Sequence, residues 1–208
     1  MTAPLPLVTL AGSHVELIPL SLDHAETLLR LATDPREPYT FTSIAHDLAG
    51  MRAYIQIALD EQARGLALPF ATRARATGEL VGSTRFARVE RWDWPRNRPE
   101  ADRIMDAVEI GWTWLSPDGQ RTGINTEAKL LMLAHAFETW AVRRVVLKTD
   151  SRNQRSRDAI ARLGFRFEGV LRQYGPGWDG SPRDVAYFTL LEPEWPAVKA
   201  TLVARLQR

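Results

Sequence analysis

The chain has 208 residues, 45% of them hydrophobic, with 27 basic and 25 acidic side chains and a formal net charge of +2. That supplies apolar mass for one packed domain, but interleaved signs of charge make no continuous nucleic-acid stripe. Cysteine is absent and the four histidines (His14, His24, His46, His135) lack metal-ligand spacing, which excludes disulfides, cysteine–zinc sites and a cysteinyl acyl intermediate.

No apolar run is long enough to cross a bilayer, and "MTAPLPLVTLAGSHVELIPL" lacks the basic flank of a signal peptide. A cytoplasmic protein with no membrane partner and no nucleic-acid partner is expected. Only three basic residues are lysines; the arginines gather in 91–103 and 151–166. Each cluster reads as a solvated surface or as phosphate recognition.

In chain order, "HVELIPL" (14–20) alternates as a strand, and "SLDHAETLLRLA" (21–32) follows as a helix with Ser21 as N-cap. Asp34-Pro35 and Glu37-Pro38 break the chain. An amphipathic helix spans 46–65, with Leu48, Met51, Ile55 and Leu59 on one stripe and Gly65 as its stop. Strands at 68–75 and 79–90 flank the turn Ala76-Thr77-Gly78 and form a hairpin. After a polar, proline-rich loop (92–103), "MDAVEIGWTWLS" (105–116) is a strand. Simple alternation puts Glu109, Gly111 and Thr113 on one face and Ile110, Trp112 and Trp114 on the other.

A helix over 122–141 is apolar around much of its circumference and belongs against a sheet. A strand (143–150), a short helix (153–164), two strands (165–175 and 183–191) and a closing helix (192–206) complete the chain. The order is βααβββαβαββ and then a helix. It predicts a mixed α/β sheet with helices on its faces, in a single domain over 1–208 that closes with a C-terminal helix at 193–208.

The turn that opens the 122–141 helix, Gly119-Gln120-Arg121-Thr122-Gly123-Ile124-Asn125, reads in two ways. It is a chain reversal, or a cradle of backbone N–H groups aimed at an anion from the positive end of a helix. Residues elsewhere bear on the choice. Gln120-Arg121-Thr122-Gly123-Ile124-Asn125 resembles the Q/R-x-x-G-x-G/A signature of the GNAT (GCN5-related N-acetyltransferase) superfamily, with Asn125 where glycine or alanine is usual. Asn153-Gln154-Arg155-Ser156 through Gly164-Phe165 resembles its N-x-x-A/S signature. "NTEAKLLMLAHAFE", "RNQRSRDAIARLGFRFEGVLR" and "DGSPRDVAYFTL" are most similar to the RimJ/RimL branch, and the similarity covers about 12–192.

The resemblance implies a mostly antiparallel central sheet and transfer of an acetyl group from acetyl-CoA to a primary amine, on a protein N-terminus or a small molecule. No metal is implied, and a homodimer is left open. Coenzyme A would bind through Gln120, Arg121, Thr122, Gly123, Ile124, Asn125 and Thr126 at the helix N-terminus. Its pantetheine would pair with the edge of Trp112, Trp114 and Leu115, with Asn153 and Ser156 on the opposite side. The lesser alternative for Asn153 is a plain helix cap, and for Ser156 an exposed helical serine.

Glu109, eleven residues before Gln120, matches the base of some members; it reads equally as a strand glutamate paired with arginine. Many members carry a tyrosine seven residues after the motif asparagine, where this chain has Ile160, so Ser156 is the best substitute donor to the leaving thiolate, with a water, departure as the free thiolate, or Tyr174 as the alternatives. Arg85, Trp92, Trp94, Arg172, Tyr174 and Trp178 are candidates for the acceptor channel. The competing reading is a non-catalytic acyl-CoA sensor.

Overall fold

The computed structural model describes residues 4–33, 41, 44–95, 104–177 and 179–207. Its strands are β1 (Leu10–Ala11), β2 (Val15–Pro19), β3 (Leu68–Ala74), β4 (Leu80–Glu90), β5 (Ala107–Leu115), β6 (Arg144–Asp150), β7 (Arg166–Pro176) and β8 (Pro182–Leu191). They form one sheet in the order β1-β2-β3-β4-β5-β6-β8-β7. Every neighbouring pair is antiparallel except β5 and β6. A parallel pair needs a crossover, and α3 (Ile124–Ala134) supplies it. The other helices are α1 (Ala25–Ala32), α2 (Leu48–Ala63), α4 (Gln154–Arg162) and α5 (Trp195–Leu206).

Both faces of the sheet are covered. On one, α1 and α2 bury Leu28, Met51, Ile55 and Ala58 against Ala71 and Trp114. On the other, α3, α4 and α5 bring Met132, Leu133, Ile160 and Leu202 onto Phe86, Ile110, Val145 and Phe188. Local chemistry sets the ends of these helices. Asp47 caps α2 by accepting from the Gly50 N–H at 2.7 Å, and Gly164, with φ +93°, stops the α4 segment where a β-carbon would meet Val198. The long helix expected over 122–141 starts at Ile124 and loosens after Ala134 into a π-type turn over His135–Thr139.

The structure corrects the sequence in two places. The short β1 precedes the strand read as first, because a two-residue strand leaves no alternation to detect. In β5 the simple alternation fails. Ser83 faces Trp114 and Arg85 faces Gly111, so Thr84 alone opposes both Trp112 and Thr113. Trp112 takes φ +50° to accommodate this bulge. The parity flips there: Thr113 turns to α3, where its hydroxyl meets Lys129, while Trp112 lies under Arg85 on the α2 side.

The β1–β2 hairpin is fastened to α3 by Glu127. Its carboxylate accepts from the Ser13 N–H (2.9 Å) and hydroxyl (2.8 Å), the His14 N–H (2.6 Å) and the Val15 N–H (2.8 Å). Burial alone would raise the Glu127 pKa, but the hydrogen bonds outweigh it and hold the carboxyl below its usual range. A depressed carboxylate stabilises the fold above its unfolded pKa of about 4.3, and that contribution is lost as pH falls through the folded value. Glu127→Ala is expected to cost about 2 kcal/mol near neutral pH. That corresponds to a melting temperature lower by roughly 4–8 °C. The gap between variant and wild type should close below about pH 4 in thermal melts, and a pH-independent gap would assign the loss to packing instead.

Candidate active site

Strands β5 and β6 pair only from Ala107 to Glu109, against Arg144 to Val146. Beyond Glu109, β5 follows β4 and β6 follows β8. Among the described residues, no strand lies on the β6 side of Ile110–Thr113. The sheet therefore opens next to Glu109, and the open edge leads along β5 toward the turn before α3.

In that turn the Gln120 amide donates to the Leu115 carbonyl at 2.9 Å and accepts from the Arg155 guanidinium. Arg121 is left-handed at φ +58°. The Thr122 hydroxyl donates to the Gly119 carbonyl at 2.9 Å and accepts from the Ile124 N–H at 3.2 Å. The N–H groups of Arg121, Thr122, Gly123, Asn125 and Thr126 have no protein partner among the described residues. Together with the positive end of α3, these donors suit a pyrophosphate.

Gly123 is helical, at φ −66°, and a β-carbon there would come within 3.0 Å of the His14 ring. Any larger residue at 123 would have to displace the exposed His14 ring, and the left-handed residue of the turn is Arg121. Asn125 stands second in α3, where a helical backbone keeps its N–H available whatever its side chain does.

At the other end of the opening, Glu109 is 5% exposed. Its carboxylate lies 2.7 Å from Lys148 Nζ and 3.2 Å from Arg88 Nε. Lys148 Nζ reaches the Tyr174 hydroxyl at 3.4 Å, which also accepts from Tyr187 at 3.0 Å. Burial raises the Glu109 pKa, and Lys148, Arg88 and Arg85 oppose the shift without cancelling it. The Tyr187 hydroxyl lowers the Tyr174 pKa by donating to it, with a further contribution from Lys148. Glu109, Arg88, Tyr174 and Tyr187 line a cavity of about 310 Å³ that Val89, Glu90 and Val146 also bound. A buried carboxylate of raised pKa beside an open cleft is a general-base geometry.

The other candidates separate. Tyr174 joins Glu109 in the cleft. Ser156 stands in the first turn of α4, a helix that packs Ile160 into the core on the α3 side of the sheet. Its N–H donates to Asn153 Oδ1 at 3.0 Å, so Asn153 caps α4. The Ser156 hydroxyl makes no hydrogen bond to described residues.

Arg85 does not line the cleft. It is buried, stacked 3.8 Å over Trp112 and paired with Glu61 at 3.1 Å. Trp92 and Trp94 are tied to Asp106 through the Trp92 N–H and the Trp94 indole, both at 2.8 Å. Arg172 is exposed on β7 and is not among the residues that bound the cavity, and Trp178 lies outside the described residues. Sequence reasoning missed Arg88, Lys148 and Tyr187. No local signal marked them: burial does not alternate along β4, β6 or β8, and Arg88 is left-handed at φ +50° where the β4–β5 register shifts.

The acetyltransferase (GNAT) domain family matches residues 14–166. Two curated relatives are each 33% identical to this chain. YdaF of Bacillus subtilis aligns over 98 residues, 47% of this chain and 52% of that protein. The ribosomal-protein-serine acetyltransferase of Escherichia coli aligns over 95 residues, 46% of each. The chain thus spans about half the length of these relatives.

Solved structures align over nearly the whole chain. A GCN5-related N-acetyltransferase from Brucella melitensis is 28% identical, with a TM-score of 0.80 over 98% of this chain and 89% of that one. RimJ of Mycobacterium smegmatis, in complex with a CoA-disulfide, is 25% identical, with a TM-score of 0.75 over 97% and 93%.

Proposed function

The chain belongs to the GNAT acetyltransferase family, and from that premise we propose that it moves the acetyl group of acetyl-CoA to a primary amine on a protein, directly and in a single ternary complex, in the cytoplasm. The observation that carries this reading is the opening between β5 and β6, with a free strand edge that runs from Glu109 toward a turn rich in unpaired N–H donors.

Acetyl-CoA supplies an activated thioester. In this proposal Arg121–Thr126 hold its pyrophosphate, and the peptide groups of Ile110–Thr113 pair with its amide-bearing arm as an added strand would. Glu109 takes the proton of the incoming amine, directly or through one water, while Lys148 and Arg88 fix the carboxylate. Ser156 is assigned to the departing sulfur, since Ile160 is an apolar residue buried in the core. A protein acceptor is favoured because the relative from Escherichia coli is named for a ribosomal-protein substrate.

Coenzyme A release measured over a panel of peptides with free N-termini, polyamines, amino acids and amine antibiotics tests the assignment. Peptides are expected to give kcat/KM at least about tenfold above any small amine. Turnover of small amines alone would overturn the protein acceptor. Tight binding of acetyl-CoA with no turnover across the panel would overturn the enzyme.

A further inference from the structure

Of the chain's three lysines, Lys148 and Lys199 pair with glutamates. Lys129, on α3, is 3% exposed and among the described residues reaches only hydroxyls: Thr113 Oγ1 at 2.6 Å and Thr84 Oγ1 at 3.2 Å. Those two hydroxyls lie 2.7 Å apart, and both approach the Gly111 carbonyl, Thr84 at 3.4 Å and Thr113 at 3.5 Å. Thr84 is the residue that opposes two on β5, and Thr113 follows the left-handed Trp112. The ammonium therefore sits behind the bulge, at the start of the edge that β6 leaves open.

An ammonium buried without a carboxylate is costly, and methionine would fill similar volume without that cost. Burial lowers the Lys129 pKa to about 7, with no neighbouring charge contributing. The two threonines can hydrogen-bond each other without it. What Lys129 adds is a donor to both hydroxyl oxygens, which leaves one hydroxyl proton for the bond between the threonines and the other for the Gly111 carbonyl.

We propose that Lys129 is a positioning residue for acetyl transfer, which acts through Thr113 and Thr84 to hold the Gly111–Thr113 bulge in the shape that the thioester meets. The proposal rests on the acetyl-CoA reading of the open edge. A left-handed tryptophan is a strained conformation that persists only where its surroundings over-determine it, and this hydrogen-bonded triad supplies that constraint from behind the strand.

Lys129→Met, Thr113→Val and the double variant test the proposal by three measurements. Amide hydrogen exchange at 111–115 should be faster in Lys129→Met than in wild type, a result independent of whether acetyl-CoA is the substrate. The melting temperature should stay the same or rise, and the stabilisation by coenzyme A should be retained. The kcat should fall about tenfold in each single variant, with KM for acetyl-CoA little changed, and the double variant should be no worse than either, because the two residues act as one unit.

Unchanged exchange and unchanged kcat in Lys129→Met would overturn the proposal. So would multiplicative losses in the double variant. If Lys129→Met does not fold, Thr113→Val with wild-type kcat overturns it on its own. A wild-type protein that neither binds coenzyme A nor acetylates an amine would instead count against the acetyltransferase reading, while the exchange measurement still decides whether Lys129 holds the bulge.

Discussion

Turnover is expected to fall by about 10²-fold or more when Glu109 is replaced by glutamine, within the range for loss of a general base. The carboxylate is buried at the floor of the cleft, where the sheet opens, and its charged partners come from two other strands. An amine must be neutral to attack, so the rate should rise with pH as Glu109 loses its own proton. Burial raises that pKa, which places the acid limb of the kcat/KM profile above the usual glutamate range. In Glu109→Gln the limb should vanish, since glutamine does not titrate. An unchanged limb would move the role to another residue or to a chain of waters.

The substitution also leaves Lys148 buried with a weaker partner, and breaking a buried pair is destabilising. Melting temperature and coenzyme A binding must therefore be measured alongside, and a loss of turnover with both retained is the expected pattern. Ser156→Ala should be milder, about tenfold in the transfer rate, because a hydrogen bond to the departing sulfur is one interaction rather than a proton acceptor. Equal loss in rate and in acetyl-CoA affinity would make Ser156 a binding residue only.

The order of elements was legible because each long element carries its own period. Leu48, Met51 and Ile55 mark α2, and the Ala76-Thr77-Gly78 turn joins β3 to β4. What escaped detection is non-local. The period-2 rule carried through Trp112 puts Thr113 on the wrong face, because nothing in "EIGWTWL" signals a bulge that exists only opposite Thr84. Lys148 and Tyr187 are separated in sequence from Glu109 by tens of residues, and the order β5-β6-β8-β7 is what gathers them around it. Lys129 was hidden for the opposite reason. It interrupts an apolar helix, and a lysine in such a run reads as a solvent-facing position until the helix is seen packed against Thr84 and Thr113. The sequence also did not show that the His14 ring lies against Gly123, or that the unusual backbone angle of the turn belongs to Arg121.

That last point decides how cofactor binding is tested. Millimolar coenzyme A is expected to raise the melting temperature of the wild-type protein. At a hundred times its Kd, mass action contributes about 2.7 kcal/mol, or roughly 5–11 °C for a chain of this size. The absence of any shift would remove the acetyl-CoA reading. Gly123→Val is a poor probe of the turn, since its side chain would push on the His14 ring and mix a packing change with any effect on the ligand.

Arg121→Gly separates fold from binding more cleanly. Arginine at φ +58° costs about 1–2 kcal/mol relative to a residue free of a β-carbon. Glycine should therefore keep or modestly raise the melting temperature of the unliganded protein, after allowing for its own entropy cost of up to about 1 kcal/mol. If the guanidinium and the turn's N–H groups together hold the pyrophosphate, the same change should weaken coenzyme A about tenfold. The shift at fixed ligand would shrink by about 1.4 kcal/mol. A variant that is as stable as wild type but binds less coenzyme A assigns Arg121 to the ligand. One that binds equally well leaves the task to the N–H groups of the turn and the end of α3.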